Sequence, residues 1–132
     1  MTGTHLSKKE GQEIPSLTRV ARMPGNREVI NPVHEDEYAK QFGLRGALIG
    51  GTTLLGLVME MLFLYFGQNW LYHGKIKTSF IGGGAIDGDE LTAHGKIFGI
   101  NSEQESPRVE LEVWLENQNQ EKIVVGQASC IK

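Results

Sequence analysis

His34 stands in the stretch EVINPVHEDEYAKQFG, residues 28–43, just after an Asn31-Pro32 turn and just before the start of a predicted helix. An imidazole titrates near neutrality, so a histidine presented by a fixed turn can take and return a proton. Other chemistry-bearing residues have weaker contexts. Glu60 falls about two turns into an apolar run, where a buried carboxylate needs a partner or a raised pKa. It is expected to face a tunnel or a second subunit, and contact across an interface is the plainer expectation. His73 and His94 sit on or beside predicted strands, with exposure as their default, and no His/Cys/Asp group has metal-ligand spacing. The only cysteine, Cys130, alternates inward with Val124, Gly126 and Ala128, which predicts a buried, inert thiol. The run GGGAIDGD lacks the Lys-Ser/Thr of a phosphate loop and the strand-to-helix setting of a dinucleotide fingerprint, so it reads as a turn.

The elements that must position these groups follow from periodicity. EIPSLTRVARM, residues 13–23, predicts a first strand anchored by Ile14, Leu17, Val20 and Met23. HEDEYAKQFG predicts a short helix: acids fill its first turn, Asp36 and Lys40 can pair, and Gly43 ends it. ALIGGTTLLGLVMEMLFLYFG, residues 47–67, contains a long apolar helix with Gly51 or Thr52 at its N-cap and Gly67 past its end. Its Glu60, its Gly-Gly pair and the absence of flanking Lys/Arg clusters argue against a membrane span and for a helix surrounded by protein. Trp70, Leu71 and Tyr72 follow it, as pocket rim or as core.

The period then changes to two. GKIKTSFI and RVELEVWLEN alternate apolar and polar residues, as half-buried antiparallel strands do, and ELTAHGKIFGI and KIVVGQASCI are weaker versions of the same pattern. The order strand, short helix, long helix and four strands predicts an α+β domain whose antiparallel sheet wraps one long central helix. One domain fits 132 residues, with residues 1–11 as a flexible lead segment and 12–132 as the fold. Composition is 39% hydrophobic and 22% charged with a net charge of −3, which favours neither nucleic acid nor an anionic membrane. The lone cysteine and the polar N-terminus predict a reducing, cytoplasmic setting.

Four stretches resemble the MaoC-like branch of the hotdog-fold superfamily, which contains (R)-specific enoyl-CoA hydratases and dehydratases. NPVHEDEYA is similar to that family's Asn-Pro-x-His-x-Asp motif, and GALIGGTTLLGLVMEML to its loop and central helix. GKIKTSF and DGDELTAHGKI resemble the next two strands with their Gly-Asp turn. The resemblance implies a single hotdog domain that pairs with a second such unit, either a second copy or another hotdog subunit. It implies a substrate that is an acyl thioester of CoA or a carrier protein, and no other cofactor. His34 matches the general acid/base, Asn31 and Pro32 the turn presenting it, and Gly51 the residue whose N–H faces the thioester oxygen. Gly50 takes the place of the histidine in the family's His-Gly-Met. The partner aspartate is expected two positions before Asn31, where this chain has Val29, and the segment leading into the turn is shorter than the family's. Glu28, adjacent to Val29, is the nearest carboxylate that can substitute, although alternation in an extended segment points it the other way. The expected activity is hydration or dehydration of an enoyl or 3-hydroxyacyl thioester. One alternative is a catalytically incomplete subunit that binds thioesters or completes an active partner. Another is a thioesterase using Glu60.

Overall fold

The computed structural model describes residues 11–22, 48–101 and 107–131. Its elements are strand β1 (Leu17–Val20), helix α1 (Gly51–Phe66), helix α2 (Gln68–His73), and strands β2 (Lys75–Phe80), β3 (Glu90–Asn101), β4 (Arg108–Glu116) and β5 (Lys122–Ile131). The strands form one antiparallel sheet in the order β1-β3-β4-β5-β2, so β1 and β2 are its edges.

The alternation that predicted the strands is the alternation that buries them. Val109, Leu111, Val113 and Leu115 of β4 are at most 2% exposed and face α1, while Glu110, Glu112, Trp114 and Glu116 occupy the opposite face. Val58, Met61 and Leu62 of α1 meet this inner face at 0 to 1% exposure, each contributing about 1.5–3 kcal/mol of apolar burial. Cys130, at 0%, belongs to the same core as expected. Gly126 lets β5 run close to β2: a Cβ there would collide with the Lys77 carbonyl oxygen and with Thr78.

Several expectations are corrected. The N-cap of α1 is Gly50, one residue before the predicted cap, because its carbonyl already accepts from the Thr53 and Leu54 amides at 3.0 and 3.2 Å. Gly67 ends the helix as expected, with φ at 66°. The described residues do not enclose α1 on all sides, since the sheet covers one stripe and Met59, Phe63 and Leu64 remain exposed. Among the described residues, no helix is long and apolar enough to cross a membrane. Of the first-strand anchors, Ile14 and Leu17 are buried but Val20 is exposed, because it pairs with Glu90 on the outer face. Residues 11–14 continue along β3 beyond β1, with Gly11 N–H donating to the Ile97 carbonyl and Ile14 N–H to that of Gly95. Trp70 is core, whereas Leu71 and Tyr72 are exposed. The short helix predicted after His34, and Met23, lie outside the described residues.

Candidate functional site

The site is built from the start of α1. The first amides of a helix have no carbonyl one turn back to receive them, and the aligned peptide dipoles leave that end partly positive. Here no acidic residue occupies the first turn and the N-cap, a glycine, has no side chain to cap it, so the helix's own residues leave the positive end uncompensated. Gly51 is the first helical residue, and among the described residues its N–H donates to no backbone carbonyl. Gly50 precedes it in an extended conformation, φ −61° and ψ 144°.

Beside this amide opens a cleft of about 370 Å³, within the range of small-molecule sites. Its walls come from Ile49, Leu54, Phe80, Ile81 and Ile123 with the glycine run 82–84, and among the described residues no polar side chain lines it. The Phe80 ring tip lies over Gly51: a Cβ at Gly51 would stand 3.1 Å from Cζ and 3.4 Å from Cε1 and Cε2. Glycine at this position therefore keeps the amide and the ring close together.

Two backbone ties fix the cleft against the helix start. Ile49 N–H donates to the Ala85 carbonyl at 2.7 Å, and Leu48 bridges Ile86. The loop carrying Ala85 and Ile86 is held in turn by Asp89, a carboxylate only 4% exposed. Its Oδ2 accepts the Ile86 amide at 3.0 Å and its Oδ1 accepts Gln118 Nε2 at 3.1 Å. Gln118 Oε1 closes the arrangement by accepting Glu90 N–H at 3.0 Å. Asp89 thus connects the β4–β5 turn to the cleft wall, and Gly88 N–H, donating to the Ala21 carbonyl at 2.8 Å, ties the same loop to the end of β1.

The sequence-predicted residues divide into three groups. Gly51 lines the cleft, and Gly50 is the residue between it and Ile49 of the cleft wall. His34, Glu28, Asn31, Pro32, Val29 and Asp36 lie outside the described residues. The remaining candidates are placed elsewhere by the fold. Glu60 is not buried: its carboxylate pairs with Arg19 at 3.1 Å, both side chains about half exposed, and it does not line the cleft. His94 is not exposed as expected but 20% accessible on the outer face of the sheet. It stacks on Trp114 with centroids 5.1 Å apart, and its Nε2 stands 2.7 Å from Glu116 Oε1 without hydrogen-bond alignment. Lys122 covers the same Trp114 ring at 5.0 Å, so the group is a packed clasp on the side away from α1. A shallower depression of about 220 Å³ on that outer face, bordered by Lys75, Phe98 and Glu110, does not reach the helix start. Burial pushes the Cys130 thiol up, with the Arg108 charge and a backbone hydrogen bond from Ile131 pulling back, as suits an inert thiol. Among the described residues no cluster of His, Cys, Asp and Glu can hold a metal ion.

Sequence reasoning missed Phe80 and Asp89 as parts of the site. Their signals were present: Phe80 closes the alternating β2 run two residues before the glycine run, and Asp89 follows Gly88 in the DGD turn.

No family model matches the sequence, and no curated protein matches it. Solved structures do. An (R)-hydratase from A. caviae involved in PHA biosynthesis is 19% identical, with a TM-score of 0.66 over 92% of this chain and 95% of that one. A MaoC-like dehydratase from Rhodospirillum rubrum is 16% identical at a TM-score of 0.72, covering 92% and 90% of the two chains. A chain of the ChsH1-ChsH2 complex from Mycobacterium tuberculosis is 14% identical at 0.70, covering 92% and 96%. The architecture is the hotdog fold, in one domain, and these neighbours match the family that the motifs resemble. At such identities the likeness defines the fold.

Proposed function

We propose that this protein is a hydratase or dehydratase of enoyl or 3-hydroxyacyl thioesters carried by CoA or a carrier protein. The observation that carries the reading is the apolar cleft opening onto the Gly51 amide at the start of α1, an amide that donates to no backbone carbonyl among the described residues. Adding water across an enoyl thioester builds negative charge on the thioester oxygen, and a fixed N–H at a helix start stabilises that charge as it develops. His34, presented by the Asn31-Pro32 turn, is the proposed general acid/base, and Glu28 the carboxylate that assists it in place of the aspartate replaced by Val29. Gly51 holds the thioester oxygen and Gly50 shapes its approach. Two copies form the working unit.

The test follows loss of the conjugated thioester absorbance with short-chain, medium-chain and aryl enoyl-CoAs. His34→Ala is expected to lower turnover by about 10²–10⁴, the usual contribution of a general acid/base. Glu28→Gln lowers it as well if that carboxylate assists. Turnover unchanged in His34→Ala removes the assignment.

A second reading has its own support. Val29 cannot accept a proton, and one structural neighbour is a chain of a two-subunit complex. In that reading the protein is a thioester-binding subunit that completes an active partner. A folded protein that binds acyl-CoA, turns over no enoyl-CoA and co-purifies with a second hotdog chain would favour it. The hydrolase reading loses its motive, because Glu60 is engaged by Arg19 and lies about 13 Å along the helix axis from Gly51.

A further inference from the structure

The geometry points to Phe80 as the residue that selects the length and bulk of the bound acyl group, with an unsubstituted hydrocarbon chain as the preferred occupant of the cleft. This rests on the acyl-thioester reading and goes beyond it by naming the chain and the selector.

Three observations converge on Phe80. The backbone is fixed, since Phe80 pairs with Val124 of β5 and the next amide, Ile81 N–H, donates to the Ile123 carbonyl at 2.9 Å. The side chain is 55% exposed, an apolar surface held at the mouth of the cleft that a bound chain would cover. Its ring tip stands against Gly51, so a ligand with its oxygen at the Gly51 amide must pass its chain along that ring. Beyond the ring the wall is Leu54 and Ile123, with Gly82 and Gly84 in left-handed conformation (φ 68° and 75°). Among the described residues, no side chain in that lining can pair with a hydroxyl or charge far down an acyl chain, so against these walls such groups would be desolvated without compensation. Methylenes, in contrast, each gain from leaving water.

Equilibrium binding of saturated, unreactive acyl-CoAs from acetyl-CoA to palmitoyl-CoA tests this without turnover. In the wild type, affinity is expected to rise by about fourfold per methylene until the cleft is filled and then level off. Phe80→Ala moves that plateau to longer chains and Phe80→Trp moves it to shorter ones. The ring is half exposed, so both variants should keep the wild-type melting temperature to within a few degrees. Affinity independent of chain length, or a plateau unmoved in both folded variants, overturns the assignment. Chain-length-dependent binding that shifts with Phe80 but comes without enoyl turnover removes the hydratase and keeps the selector. Turnover with a plateau insensitive to Phe80 does the reverse.

Discussion

At the scale of single residues, the amide of Gly51 can be deleted with little disturbance to the helix backbone, while proline's Cβ presses on the Phe80 ring just as alanine's does, which makes Gly51→Ala the control. Proline suits the first position of a helix, where its missing N–H breaks no intrahelical bond, and it demands an extended residue before it. Gly50, at φ −61° and ψ 144°, already meets that demand. Gly51→Pro is therefore expected to fold while lowering turnover by about 10²–10³, the usual effect of losing one oxyanion donor. Gly51→Ala keeps the donor and only presses on the Phe80 ring, so its loss should be smaller and relieved by Phe80→Ala; steady-state kinetics of the three variants checks both. Cys130 offers a pH prediction. Burial lifts its thiol above the ordinary value, so the unfolded chain releases that proton first. The associated stability is complete below the ordinary thiol pKa and is lost as pH rises from there toward the folded value. Tyr65, also raised by burial, has the same sign at higher pH. Melting temperatures across the alkaline range should fall less steeply in Cys130→Ala than in the wild type. Identical slopes would contradict the account.

At the scale of elements, two glycines give opposite expectations. Gly126→Ala sets a Cβ against the Lys77 carbonyl, backbone of the paired strand that cannot turn aside, and is expected to cost at least about 2 kcal/mol in urea unfolding. Gly56, inside α1 with nothing within 4 Å of its Cβ position, should stabilise by about 0.5–1 kcal/mol when changed to alanine. Asp89→Ala leaves the Ile86 amide and the Gln118 amide group without their acceptor, at a cost of roughly 2–4 kcal/mol. Hydrogen exchange should then quicken at Ile86 and Ile49, showing the cleft wall loosening from the helix start. Strands β3 to β5 were legible because each has one wet face and one dry one, which writes a period of two into the sequence; β2 carries the same alternation although none of its residues is buried. The long helix was legible by composition, but its cap was placed one residue late, since a glycine N-cap leaves no side-chain signal at Gly50. Val20 misled because β1 is a short edge strand whose alternate residues face outward. Glu60 and His94 misled for a shared reason: their neighbours Arg19 and Trp114 come from distant parts of the chain, brought close by the packing of α1 on β1 and by the pairing of β3 with β4.

For the whole molecule, β2 is an edge of the sheet among the described residues, with Leu71, Tyr72 and Ile81 exposed beside it. Unpaired edges and contiguous apolar surface are where chains associate. The proposed dimer predicts a sedimenting mass twice that of the chain at micromolar concentration, whereas a single-chain mass that doubles only with a second hotdog subunit would favour the partner-subunit reading. The central claim is that a thioester oxygen rests on the Gly51 amide while its chain enters the apolar cleft. Isotope-edited infrared spectroscopy of a bound, carbonyl-labelled acyl-CoA reads that contact directly and needs no turnover. The carbonyl stretch should fall on binding to the wild type, as a hydrogen-bonded carbonyl does, and return toward the free value in Gly51→Pro. A bound carbonyl at the free frequency in the wild type, or an equal shift in both proteins, would contradict the account.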